Sequence, residues 1–263
     1  MSTKKINQLI ENYTQEDVTI SCPTHGQSKI KASLWKGKHI SQPKCEKCEK
    51  EKMIKENQLK TFRENHLKNQ GLLESINKFP LLRKFNFESY NEDMYPEAKH
   101  TYDQMKNYAN NFEKMIENAV NVIMYGGVGT GKTFFGISLI KEAVVQGYSA
   151  KYQTTYDLFN EIKKSFSDSS FCYERVKKDL IDCDILCLDE IGVTYGTEFE
   201  INILFEIINQ RYMLCKPTII ITNLDIKNLT KAIGIRSLDR LMETCLNIKF
   251  DYPSLRRKPK KLK

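Results

Sequence analysis

Long apolar runs are missing from this chain. No stretch of about 18 consecutive apolar residues occurs in it, which excludes a membrane-spanning helix. The opening residues, Met1-Ser2-Thr3-Lys4-Lys5-Ile6-Asn7-Gln8, hold no apolar segment of the secretory kind, so a cytoplasmic protein is expected. In that compartment the 8 cysteines are read as thiols or metal ligands, not as disulfides. Helix breakers are scarce between Glu46 and Asn77, where no proline occurs and Gly71 is the only glycine. That stretch predicts a long exposed helix with a possible break near Gly71. Its apolar residues (Met53, Leu59, Phe62, Leu67, Leu72, Leu73) follow no clean heptad, which argues against a coiled coil. Acid is in deficit: Lys and Arg number 41 against 33 Asp and Glu, a net charge of +8. The excess points to a polyanionic partner, with solubility alone as the alternative. A length of 263 residues suits one substantial domain plus a small one.

The strongest motif is Gly126-Gly127-Val128-Gly129-Thr130-Gly131-Lys132-Thr133. An apolar run, Val122 to Tyr125, precedes it and a helix-like segment, Phe134 to Val145, follows. Strand, glycine-rich turn and helix are the context that the G-x-x-x-x-G-K-[ST] phosphate loop needs. Its glycines let backbone N–H groups curl around a β-phosphate without a Cβ in the way. The helix N-terminus adds partial positive charge, Lys132 reaches the β/γ oxygens, and Thr133 ligates Mg²⁺. A nucleoside triphosphate is therefore the expected ligand.

The second anchor is Asp184-Ile185-Leu186-Cys187-Leu188-Asp189-Glu190, which begins some 50 residues after the loop. Four apolar residues ending in two acids predict a buried parallel strand with carboxylates at its ligand-binding end. Asp189 is expected in the Mg²⁺ shell with Thr133, and Glu190 as the base that orients and deprotonates the attacking water. Pro217 to Asn223 predicts another buried strand, and its last residue, Asn223, either contacts the γ-phosphate or caps the strand. Arg236 and Arg240 are four residues apart, on one helix face, and both suit stabilisation of a phosphate from a neighbouring subunit. Phe85, Phe87 and Tyr90 open this domain as either adenine contacts or core.

Near the amino terminus stand Cys22-Pro23-Thr24-His25 and Cys45-Glu46-Lys47-Cys48, separated by 19 residues. Two such knuckles clamp one Zn²⁺ through Cys22, His25, Cys45 and Cys48. Four protein ligands leave no open position, so the zinc is expected to be structural, and it supplies stability that a region this small lacks. Residues 1–20 are expected to form a short polar helix or arm striped by Ile6, Leu9 and Ile10, and Ser28 to Trp35 a hairpin strand. Lys163 and Lys164 lie on a further helix, and the tail Arg256-Arg257-Lys258-Pro259-Lys260-Lys261-Leu262-Lys263 is basic.

Taken together, these residues resemble the AAA+ ATPases of the DnaC type, bacterial and phage loaders of the replicative helicase. The likeness spans Phe79 to Arg256. It includes Phe85-Asn86-Phe87-Glu88-Ser89-Tyr90, the phosphate loop, Leu188-Asp189-Glu190, Ile221-Thr222-Asn223 and Gly234-Ile235-Arg236-Ser237-Leu238-Asp239-Arg240-Leu241. The closing Phe250-Asp251-Tyr252-Pro253-Ser254-Leu255-Arg256 completes it. The resemblance implies a five-stranded parallel sheet between helices with little or no lid domain. It implies Asn223 as sensor 1, Arg240 as the trans-acting arginine finger with Arg236 as its rival, and Arg256 as sensor 2. ATP, Mg²⁺ and a structural Zn²⁺ are the implied cofactors. The replicative helicase, single-stranded DNA and further copies of the chain are the implied partners, with the nucleoid as the place of action during replication. The cysteine/histidine pairs resemble the amino-terminal zinc region of some phage loaders. The expected organisation is a zinc region over 1–50, a helical partner-binding linker over 51–78, an ATPase domain over 79–256 and a basic tail over 257–263. IstB-type transposition helpers, which bind duplex DNA and recruit a transposase, share nearly all of this core and form the alternative.

Overall fold

The structure, a computed structural model, describes residues 13–39, 44–77, 79–165, 173–193 and 196–257. It divides into two compact units, Met1–Phe62 and Arg63–Lys263.

The first unit is built on a hairpin. Strand β1 (Tyr13–Cys22) runs antiparallel to β2 (Gly26–Trp35), with Cys22 opposite Gly26. A two-residue turn, Lys36-Gly37, with φ of 51° and 71°, leads into β3 (Lys38–His39). Both turn residues are left-handed, as the twist of a tight hairpin requires. Alternate residues of β2, Ile30, Ala32 and Leu34, are buried on one face. A polar helix or arm was expected over 1–20. Residues 1–12 lie outside the described residues, and Tyr13–Ile20 is strand instead. The helical stripe ends at Ile10, whereas Val18-Thr19-Ile20 is β-branched and pairs across to Lys29, Ile30 and Ser28.

Helix α1 (Glu46–Asn77) is a single 32-residue helix, unbroken at Gly71. Glycine costs about 1 kcal/mol there, and burial on either side offsets it. Asn69 and Leu72 are buried next to Gly71, as is Ile76. Asn69 donates from Nδ2 to the Tyr148 carbonyl (2.7 Å) and accepts from the Ala150 amide (3.0 Å), while Asn65 donates to the Gly147 carbonyl (2.9 Å).

The rest of the second unit follows in chain order. Helices α2 (Pro80–Arg83), α3 (Lys99–Asn110) and α4 (Phe112–Glu117) lead to β4 (Asn121–Gly126) and α5 (Lys132–Val145). Then come β5 (Ala150–Thr154), α6 (Thr155–Ser165), α7 (Tyr173–Asp182) and β6 (Ile185–Ile191). Helix α8 (Glu198–Met213), β7 (Thr218–Thr222), α9 (Ile226–Ile233), α10 (Ile235–Glu243) and β8 (Cys245–Phe250) complete it. The five strands form one parallel sheet in the order β5-β6-β7-β4-β8. This is the expected five-stranded α/β architecture.

Period-two alternation sorts the side chains of each strand between two cores. Val122, Met124, Cys187, Ile219 and Ile221 join Met105, Tyr108, Phe112, Phe135 and Ile140 on one face. Ile123, Leu186, Leu188 and Ile220 join Leu158, Phe159, Ile203 and Ile207 on the other. Helix α5 lies close on the sheet because Gly136 has no side chain; a Cβ there would strike Ile221 and crowd Cys187. Arg211, fully buried, donates to the carbonyls of Leu180, Cys183 and Pro217 and to the Thr218 hydroxyl. It thereby ties α7 and the turn that follows it to α8 and β7.

Candidate functional site

The carboxyl end of the sheet gathers most of the residues singled out from the sequence. Strand β4 delivers the chain into the Gly127–Gly131 turn, and α5 begins at Lys132. The turn needs glycine at Gly129, which is left-handed at φ 78° and has Ser254 packed where a Cβ would stand. The Thr130 hydroxyl closes the loop by donating to the Gly127 carbonyl at 2.9 Å. Lys132 folds back over it, its Nζ 2.9 Å from the Gly126 oxygen and 2.6 Å from the Gly127 oxygen. Burial pulls that ammonium down to about 8, against the opposing charge of Asp189.

Asp189 is 2% exposed, and each of its oxygens is engaged. Oδ2 accepts from the Thr133 hydroxyl at 2.9 Å and from the Tyr152 hydroxyl at 2.8 Å, and Oδ1 accepts from the Glu190 amide at 2.6 Å. Burial raises the carboxyl above the ordinary range, and the hydrogen bonds from Tyr152 and Thr133 oppose the rise. Burial also pushes the Tyr152 phenol far up, with the Asp189 charge adding to it, so this hydroxyl stays a donor. The Thr133 and Asp189 oxygens stand at the ~2.9 Å that separates adjacent vertices of an octahedral Mg²⁺ shell. The pair fits that ion.

Glu190 is exposed and left-handed, at φ 60°, a conformation that costs a non-glycine residue about 1–3 kcal/mol. The strain sits in a register shift of β6 against β7 between Leu188 and Ile191. Two buried hydroxyls hold it: Thr155 donates to the Glu190 carbonyl at 2.9 Å and Thr222 to the Ile191 carbonyl at 2.7 Å. Desolvation first, and the Asp189 charge second, raise the Glu190 carboxyl. An acceptor with a raised pKa, forced outward from a sheet edge, has the chemistry of a general base.

Asn223 follows Thr222, which pairs with Ile191, so it stands exposed at the same edge. Arg256 also comes to the loop. The Leu255 amide donates to the Gly129 carbonyl at 2.9 Å, and the Arg256 charge is close enough to depress the Lys132 pKa. Arg240 lies elsewhere. It lines a cleft of about 410 Å³ with Asn121 and Thr218, the first residues of β4 and β7, at the opposite end of the sheet. Its guanidinium lies 4.9 Å from the Phe205 ring centre, and its Nη1 is buried without a hydrogen-bond partner among the described residues. Arg236 is exposed on the same helix. Phe87 is core, edge-on to Tyr102 at 5.8 Å, while Phe85 packs on Phe134 at 5.4 Å.

In the first unit, Cys22, His25, Cys45 and Cys48 place one donor atom each within 4.8 Å of one another. Nδ1 of His25 stands 3.7, 3.6 and 3.3 Å from the sulfurs of Cys22, Cys45 and Cys48, and the Cys22 and Cys48 sulfurs are 3.5 Å apart. Tetrahedral Zn²⁺ with Zn–S of about 2.3 Å and Zn–N of about 2.0 Å puts donors about 3.5–3.8 Å apart. The cluster is compatible with a zinc site. Backbone N–H groups of His25 and Thr24 pull the Cys22 thiol down to about 6, and the crowd of donors, led by Cys22, pushes Cys48 up to about 11. Glu51 accepts from His25 Nε2 at 3.1 Å and so selects Nδ1 for the cluster.

Glu51 and Tyr152 were not singled out from the sequence. Glu51 follows Cys48 by one helical turn, a spacing that signals contact across α1. Tyr152 carries no such signal, since one more aromatic in a strand reads as core.

A family model described as IstB-like ATP binding protein matches residues 52–263. The replicative helicase loader DnaC of Escherichia coli (strain K12) is 28% identical over 178 residues, covering 67% of this chain and 71% of that protein. DnaC of Buchnera aphidicola subsp. Baizongia pistaciae is 31% identical over 155 residues, 58% of this chain and 62% of that protein. Among solved structures, a crystal structure of the DnaC helicase loader matches with a TM-score of 0.54 at 19% identity, covering 63% of this chain and 96% of that one. The replication initiator DnaA bound to AMPPCP and single-stranded DNA matches with a TM-score of 0.55 at 22% identity over 65% of this chain, which spans half the length of that structure.

Proposed function

The chain belongs to the IstB-like ATP binding protein family and has the AAA+ P-loop fold, and from that premise we propose that it is an ATP-hydrolysing loader of the replicative helicase. The observation that carries the ATPase part is the joining of Thr133 and Glu190 through the carboxylate of Asp189. The loader part rests on curated relatives that bear that name, which favours this reading over transposition.

The loop from Gly126 to Thr133 cradles the triphosphate, and Lys132 binds its β/γ oxygens. Mg²⁺, held by Thr133 and Asp189, would neutralise charge on those oxygens. Glu190 takes the proton of the attacking water, and Asn223 orients that water or the γ-phosphate. Arg256 reaches the phosphates within its own chain, as its approach to Gly129 supports. Arg240 serves the nucleotide of a neighbouring copy, since it stands at the sheet end away from its own loop. Arg236 is its rival. The zinc region of residues 1–50 and the linker of 51–78 grip the helicase. The ATPase domain of 79–256 binds single-stranded DNA, with the tail of 257–263 adding positive charge.

Lys132 gives this reading a pH signature. Its pKa of about 8 is depressed by burial, and phosphate oxygens would raise it. Below that pH the ammonium is charged before and after binding, so this residue adds no pH dependence. Above it, binding takes up a proton and affinity falls as pH rises, by up to about tenfold per unit. Calorimetry in buffers of differing ionisation enthalpy at pH 7 and 9 reads this out. Proton-independent binding at pH 9 would remove Lys132 from the phosphates.

The loader assignment is tested by a pull-down with the full chain, zinc-loaded, against the replicative helicase of its host. Retention of the helicase, lost in Cys45→Ser, is the expected result. No retention, with the protein instead coating duplex DNA in ATP, would overturn it.

A further inference from the structure

Resting on the ATP-site reading above, we propose that Tyr152 is a positioning residue that fixes the Asp189 carboxylate for Mg²⁺ coordination through the hydrogen bond from its hydroxyl. Tyr152 is the third residue of β5, opposite Cys187 of the neighbouring strand and two residues short of the Thr154–Asp189 pair. Its ring packs against the core that also holds Phe135 and Ile221. A phenylalanine would fill that space equally well, so the hydroxyl is what packing leaves unexplained. It reaches Asp189 Oδ2, the oxygen that also accepts from Thr133.

The geometry gives this contact a task. With Mg²⁺ bound, the Thr133 and Asp189 oxygens would both be among its ligands, and the Thr133 hydroxyl would no longer be the only side-chain group that needs to aim Oδ2. The Glu190 amide holds Oδ1 but leaves the carboxylate free to swing about that oxygen. Tyr152 supplies the second point, and two points fix the plane. It comes from β5, a different strand from the one that carries Asp189, and so it also ties the carboxylate to the edge of the sheet. Partners of this kind, one shell out from a metal, are worth roughly 10–100-fold in metal affinity.

The test is a Mg²⁺ titration of the affinity for a fluorescent ADP analogue, with wild type and Tyr152→Phe compared alongside Asp189→Asn and the double variant. The Mg²⁺ concentration at half effect should rise by about tenfold in Tyr152→Phe, while affinity without Mg²⁺ stays as in wild type. On the Asp189→Asn background the same change should add nothing, because Tyr152 acts through Asp189. A Mg²⁺-dependent wild type with an unmoved Tyr152→Phe, or a Tyr152→Phe effect that persists without Asp189, would overturn this inference alone. A wild type whose nucleotide affinity ignores Mg²⁺ would overturn the ATP-site reading, and this inference with it.

Discussion

Glu190→Gln is expected to bind ATP as wild type does and to lose turnover by about a hundredfold or more. The substitution keeps the shape and the hydrogen-bonding reach of the side chain and removes only its ability to accept a proton. Nothing that holds the local backbone is touched. The Glu190 amide still donates to Asp189, and Thr155 still holds the carbonyl, so the left-handed turn persists. The nucleotide contacts belong to other residues, chiefly the loop and Lys132, and binding should survive. Two features of Glu190 suit it to the role. Its carboxyl is raised by desolvation and by Asp189, which brings it closer to the pKa of a useful base. Its strained backbone projects it from the sheet edge while its neighbour turns inward to 2% exposure. Burst-free steady-state hydrolysis, measured beside equilibrium binding of the same variant, separates the two effects. Hydrolysis at the wild-type rate would place the base elsewhere.

The fold was largely legible because parallel strands buried on both faces leave unmistakable runs, such as Ile185 to Leu188 and Thr218 to Ile221, separated by stretches long enough for a crossover helix. The meeting of Thr133 with Asp189 was legible for the same reason: each ends or follows a strand at the carboxyl edge. What escaped was set by tertiary contact. Gly71 looks like a break until Asn69 is seen bonded to both sides of the Tyr148–Ala150 backbone. Tyr13 to Ile20 looks like a polar arm because its polar alternate positions dilute the signal, and only the facing strand reveals the ladder. Tyr152 has the ordinary profile of a core aromatic. No periodicity encodes where a phenol oxygen ends up. The position of Arg240 was open for another reason: helical spacing assigns a residue to a face of its own helix, and the end of the sheet beneath that face depends on how α10 packs on α8.

Stripping the zinc site, by a strong chelator or by Cys45→Ser, is expected to unfold the first unit and leave the ATPase unit intact. Among the described residues of that unit, the buried apolar side chains are Ile30, Ala32 and Leu34, joined by two of the four candidate ligands, Cys22 and Cys45. Those side chains alone do not outweigh the entropy of ordering a hairpin and the start of a helix. Structural zinc contributes roughly 10–16 kcal/mol in zinc-finger peptides, as much as the whole net stability of a typical domain, about 5–15 kcal/mol. Losing it therefore takes the hairpin with it. The ligand spacing explains why the effect should be all-or-none: Cys22 and His25 close the β1–β2 turn, Cys45 and Cys48 open α1, and one ion would join both ends. Amide hydrogen exchange over residues 14–34 should rise to the rate of an open chain, with about one zinc released per molecule, while exchange along β4, β6 and β7 stays slow. Cys215→Ser is the matched control, because that thiol is exposed and far in sequence from the cluster. If the hairpin amides stay protected in metal-free protein, the four donors are a by-product of packing and the stability of the first unit must come from the hairpin itself.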